Sequence, residues 1–175
     1  MVHLPDNGPD ELERLLRRSW ARAGLGLRAA WPEGTRLSAS QILRFLLGQR
    51  FCALAFAGDR VHVIPVSFHM DLSGLTLIPA GEQARRMSHL ALHPWAAVLV
   101  GPESAPGHRV VRVEGPSRAV ATTDLPAAVL GGAETKLGDL SWCASWLQIQ
   151  PSSVLGWGVV ENPGHSAGSS SRSPG

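Results

Sequence analysis

RVHVIPVSFHMDLSGLTLIPAGEQARRMSHLALHPWAAVLV, residues 60–100, is the stretch whose reading decides the fold. Two short apolar runs, 60–69 and 74–79, are separated by Asp-Leu-Ser-Gly, which is turn chemistry, and together they read as neighbouring antiparallel strands. The period then changes. Over 82–93 (EQARRMSHLALH) Ala84, Met87, Leu90 and Ala91 fall on one side of a short helix that Pro94 terminates. Strand character returns at 95–101 (WAAVLVG).

Working outward, 51–57 (FCALAFA) joins the first run through Gly58-Asp59. On the other side, 108–122 (HRVVRVEGPSRAVAT) alternates Val111 and Val113 with Arg112 and Glu114, and Gly115-Pro116 predicts a bend or bulge. Residues 124–138 read as a weak helix or a loop. Over 141–150 (SWCASWLQIQ) Trp142, Ala144, Trp146 and Gln148 are expected to face one way, and a last strand is expected at 154–160. Six or seven strands with one short helix between the third and fourth predict a mostly β fold with short helices. Closing those strands into an antiparallel barrel hides their edges.

The N-terminal part is different. Leu12, Leu15, Leu16 and Trp20 form one stripe over 6–24, opposite Arg14, Arg17, Arg18 and Arg22, with Asp10 and Glu11 at the positive end of the helix dipole. Residues 25–37 read as a loop. A second helix opens on Ser38-Ala39-Ser40-Gln41, a capping-box pattern, and ends at Gly48. The Ser/Gly/Pro-rich end of the chain has too few apolar residues to order itself. The expected organisation is a helical extension (1–37), a barrel domain (38–160) and a disordered tail (161–175).

Composition limits the function classes. The chain has 175 residues, 44% of them apolar, with a formal net charge of +2 and no dense basic stripe, so nucleic acid is not an expected partner. No apolar run reaches the roughly 20 residues that span a bilayer. Acidic residues stand where a signal peptide would be basic and apolar, and a cytoplasmic location is expected. Lys136 is the single lysine among 16 basic residues. Cys52 and Cys143 lie in apolar stretches without ligand spacing and read as buried thiols. The histidines suggest no metal site: His62 and His69 point to opposite faces of one straight strand, and His89 and His93 lack a third ligand.

Chemistry is expected where the strand ending at Pro79-Ala80-Gly81 meets the following helix. A helix N-terminus offers free N–H groups, and Arg85 and Arg86 add forked cationic donors, so the turn reads as a phosphate cradle. The same spacing also fits two arginines on a solvated helix face.

An ordered set of motifs bears on that choice: Arg50, Leu54 and Ala55, then Pro65-Val66-Ser67-Phe68, then Ala84-Arg85-Arg86, then Leu90 and Pro94, and later Val113-Glu114-Gly115. In this order and spacing, over about residues 38–160, the chain resembles the pyridoxamine 5'-phosphate oxidase-like, FMN-binding split barrels. The resemblance implies a split antiparallel β-barrel, a homodimer with the cofactor at its interface, and a flavin-dependent oxidoreductase moving a hydride to or from a small organic substrate. It implies that Arg85 and Arg86 hold the cofactor phosphate, that Gly81 and Gln83 line the phosphate turn, and that Pro65, Val66 and Ser67 run beside the flavin ring. Trp157 would face the partner's flavin, and no catalytic side chain is implied. FMN is the first expectation and the deazaflavin coenzyme F420 the alternative. A non-catalytic flavin- or haem-binding module of the same fold is the other reading, with haem held by one of the histidines. Ala80 and Ala84 stand where the family often carries hydroxyls. Each lost hydrogen bond to a charged group is worth about 1.5–3 kcal/mol, so FMN binding is expected to weaken about tenfold or more.

Overall fold

Alternation in FCALAFA becomes strand β1 (Phe51–Ala57), which buries Cys52, Leu54 and Phe56 and leaves Phe51 and Ala57 open. The computed structural model describes residues 8–70, 76–101 and 109–158. After β1 come β2 (Val61–Ser67), β3 (His69–Met70), β4 (Thr76–Ala80), β5 (Trp95–Val100), β6 (Arg109–Ala121), β7 (Ser145–Ile149) and β8 (Ser153–Gly158). All pairings are antiparallel, and the order is β2-β1-β5-β6-β7-β4-β3, with β8 also on β6. This is the expected antiparallel split barrel, with eight strands where six or seven were predicted.

The extra strand comes from 60–69, which is not one strand. Val61–Ser67 pairs with β1, whereas His69–Met70 pairs with β4. Phe68 lies between them, fully buried, its N–H bonded to the Arg50 carbonyl at 2.9 Å. The chain changes half-sheets there because the core takes the phenylalanine ring out of the ladder.

Strand β6 belongs to both halves. Val111–Pro116 pairs with β5, Arg109–Glu114 with β8, and Ser117–Ala121 with β7. The predicted bend falls at the changeover: the Gln150 N–H bonds to the Pro116 carbonyl and the Ser152 N–H to the Glu114 carbonyl as β7 hands over to β8. A Cβ at Gly115 would lie 1.9 Å from the Gln150 oxygen. Glycine is needed there for close backbone approach.

The barrel interior is filled by Leu54, Phe68, Ile78, Val98, Val111, Leu147 and Ile149, among others. A second cluster, Leu77, Ala133, Cys143 and Trp146, lies on the other side of β4 and β7 beneath helix α5 (Ala127–Leu137). Residues 124–138 therefore hold a definite helix. The expectation for 141–150 also changes, because the strand starts only at Ser145 and is buried on both faces, while Trp142 sits in the preceding turn and is exposed.

Helix α1 (Gly8–Arg22) buries Leu12, Leu15, Leu16 and Trp20 in the main core cluster or beside it, matching the predicted stripe. Its Ser19 hydroxyl accepts the Val154 N–H at 3.0 Å and donates to the Leu15 carbonyl at 2.8 Å. The Leu37 N–H bonds to the Gly156 carbonyl. The N-terminal segment thus covers the open edge of β8. Residues 25–37, expected as loop, contain the short helix α2 (Leu25–Ala30), and α3 (Ala39–Leu47) opens on the predicted capping box of Ser38 and Gln41. The tail expected over 161–175 lies outside the described residues.

Replacing Gly115 by Ala should destabilise the fold by about 3 kcal/mol, which for a domain of this size lowers Tm by roughly 6–12 °C. Thermal unfolding followed by circular dichroism measures it, and an unchanged Tm would contradict the close approach.

Candidate functional site

The turn after β4 is built from Gly81 to Ala84, closed by the Ala84 N–H on the Gly81 carbonyl at 3.1 Å. Helix α4 (Arg85–Leu92) begins immediately after it, and its cap residue Ala84 supplies no side-chain acceptor. The helix was expected to open near Glu82. Because the turn consumes those residues, Arg85 and Arg86 become the first two helical residues, where backbone N–H groups have no partner within the helix.

The two arginines differ. Arg85 is exposed, and so is Gln83. Arg86 is half-buried and donates through Nη2 to the Pro79 carbonyl, while its Nε is buried without a hydrogen-bond partner among the described residues. Burial lowers its pKa below the ordinary arginine value, an effect only partly countered by the neighbouring Cys143. Salt bridges among the described residues join His62 to Asp59 and Arg112 to Glu114, so Arg86 has no carboxylate within that reach. A guanidinium that has lost water and gained no anion is a donor set that an anionic ligand completes.

Gly81 faces Trp142: a Cβ there would sit 3.8 Å from the Trp142 carbonyl and 3.9 Å from its ring. Trp142 is 55% exposed, and its indole N–H bonds to the Asp139 carbonyl at 3.1 Å. The β4–β7 pairing, Ala80 opposite Ser145, delivers Trp142 and Cys143 to this turn. Sequence reading missed Trp142 here. No local spacing relates positions 81 and 142, and only the sheet register connects them.

Pro65, Val66 and Ser67 lie on β2, an end strand of the sheet order. Val66 points into the core, whereas Pro65 points outward with Val61 and Val63. The register puts Pro65 opposite Ala53, and Ala53 opposite Leu99. Together with Phe51, Val63 and Val110 these residues line an apolar cleft of about 500 Å³ on the outer face. Val61 is 76% exposed and Val63 64%. Trp157 stands on β8 opposite Val110, at the border of this cleft, with its ring centroid 5.2 Å from that of Trp31. Gly81, Gln83, Arg85 and Arg86 therefore share one turn, Pro65 belongs to the outer cleft, and Trp157 packs against the N-terminal segment.

Neither a family model nor a curated protein sequence matches this chain. Solved structures do. An FAD-binding protein from Mycobacterium smegmatis is 20% identical, with a TM-score of 0.56 over 72% of this chain and 100% of its own. A candidate pyridoxamine 5'-phosphate oxidase from Listeria innocua is 19% identical, with a TM-score of 0.53 over 66% of this chain and 94% of its own. An FAD-binding protein from Mesorhizobium loti is 20% identical, with a TM-score of 0.54 over 71% of this chain and 97% of its own. The chain has their split-barrel fold. That agrees with the fold expected from the motif order over 38–160. No helix of the described residues is long and apolar enough to cross a membrane.

Both cysteines are buried, as predicted, and burial pushes the Cys52 thiol up to about 12. An ordinary thiol with a pKa near 8.5 is about half ionised at pH 8.5. Cys52 is not, and its alkylation at that pH should be slowed by roughly three orders of magnitude. Mass-spectrometric counting of modified Cys52 in folded and urea-unfolded protein checks this, and equal rates in the two states would contradict it.

Proposed function

We propose that this chain binds a phosphate-bearing flavin, FMN first and deazaflavin coenzyme F420 as the alternative, and acts as an oxidoreductase on a small organic substrate. The observation that carries the reading is the buried, unpartnered Nε of Arg86 beside a helix start that lacks a side-chain cap. The residues present fit the group. Arg86 and Arg85 would hold the phosphate, the first-turn N–H groups of α4 would add backbone donors, and Gly81 would line the turn beside Trp142. Two of the similar structures, at about 20% identity, are described as FAD-binding, which supports a flavin without choosing among its forms.

The flavin ring supplies the hydride chemistry when bound. The chain's contribution is to orient and enclose. Pro65 and Ser67 present an end strand whose outer side pairs with no other described strand, so its backbone groups are available to a polar ring edge. The apolar cleft next to it, lined by Phe51, Val63 and Leu99, offers an apolar wall beside that edge.

The same outer face supports a homodimer. Phe51, Val61, Val63, Trp95 and Leu99 are all exposed large apolar residues. By register they lie on three adjacent strands, a continuous patch of the kind that marks a protein interface.

Two outcomes test the reading. The purified protein, titrated with FMN, FAD and F420 and followed by absorption and Trp fluorescence, should bind at least one of them. Arg86→Met should weaken that binding about tenfold or more; equal affinity in the variant, or no binding of any of the three, would overturn it. For the dimer, Val63→Glu should convert a two-chain species to a single chain in sedimentation analysis, and a monomeric wild type would overturn that part.

A further inference from the structure

Three ligand-type side chains that the function proposed above does not use meet at the turn between β1 and β2. Asp59 lies in the turn, His62 on the barrel-facing side of β2 opposite Phe56, and His89 on α4. One ligand atom from each lies within 4.8 Å of the other two. His62 Nε2 and Asp59 Oδ1 are 3.1 Å apart. Two ligands on one ion with bonds of about 2.0–2.2 Å stand about 2.9–3.5 Å apart, so this pair already has the spacing. His89 needs a shift of order 1 Å to complete the set.

The surroundings hold the rings in place. Phe56 stacks on His62 at 5.1 Å with the planes 11° apart, and the His62 and His89 centroids are 5.1 Å apart. Gly58 gives an independent sign. Its backbone does not need glycine, since Gly138 is the one positive-φ residue among those described. A Cβ at Gly58 would nonetheless lie 2.7 Å from His89 Nδ1 and 3.1 Å from His62 Nε2. Both ring nitrogens therefore converge on a space that any other residue would fill.

We infer that Asp59, His62 and His89 bind a divalent transition-metal ion at the mouth of the barrel. Two imidazoles and one carboxylate suit zinc, cobalt, nickel or copper and disfavour calcium and magnesium, which prefer all-oxygen shells. The 3.1 Å contact between His62 Nε2 and Asp59 Oδ1 already brings an imidazole nitrogen and a carboxylate oxygen together. With three protein ligands the ion retains an open position for water. Its structural effect is to fasten α4 to the β1–β2 turn, which His89 already approaches through its ring contacts with Phe56 and His62.

The test uses the full chain after chelator treatment and dialysis. Zinc is titrated against a chromophoric competitor, and cobalt is added separately to read its visible d–d absorption. Wild type should bind one zinc per chain at sub-millimolar concentration and give a cobalt spectrum. Asp59→Asn, on an exposed side chain that does not hold the core, and His89→Gln should each weaken zinc at least tenfold. Gly58→Ala, which keeps all three ligands but fills the space between them, should do the same. His93→Gln, one residue beyond α4 and outside the cluster, should leave affinity unchanged. No zinc uptake by wild type, unchanged affinity in either ligand variant or in Gly58→Ala, or equal loss in His93→Gln would overturn the site.

Discussion

Strand β6 is the constraint on which this molecule depends, because among the described residues it is the one strand hydrogen-bonded into both halves of the barrel. Its first eight residues serve β5 and β8, and its last five serve β7. Where β6 changes partners, residues 150–152 cross close over Gly115. The second connection between the halves, at Phe68, is of another kind. There the link is a buried ring, held under the Lys136 ammonium, which lies 4.4 Å from the ring centroid and donates to the Leu46 carbonyl at 3.0 Å. One join is backbone on backbone and the other is side chain in core.

Much of this was legible because it is local. The capping box of Ser38 and Gln41, the Leu12–Trp20 stripe, the β1–β2 hairpin and the bend at Gly115-Pro116 each depend on residues within a few positions of one another. What could not be read is where a periodic run changes sheet. Residues 60–69 read as one apolar run, and nothing in it tells that Phe68 ends one ladder. The same limit applies to 141–150, where burial on both faces of β7 erases the alternation on which the reading rested. Even so, Trp146 was correctly placed inside a strand.

At the candidate site the division is similar. The turn 81–86 was visible because a strand, a glycine, two arginines and a helix follow in order. The unequal fates of Arg85 and Arg86 were not, since they depend on which guanidinium the Pro79 carbonyl captures. Trp142 and the pair His62 and His89 come from sequence-distant segments, and only the completed sheet and the packing of α4 bring them to their neighbours. Helix α4 thus has two ends with different chemistry, cationic donors at its start and an imidazole near its finish.

The lone lysine has a consequence for how the chain can be marked by other enzymes. Acylation or isopeptide tagging of lysine within this sequence has a single address, Lys136, and its amine is already committed to the end of α3 and to the ring that joins the two half-sheets. A modifying enzyme has to draw the nitrogen away from those two contacts. The mark is therefore expected to form more slowly on the folded barrel than on the open chain.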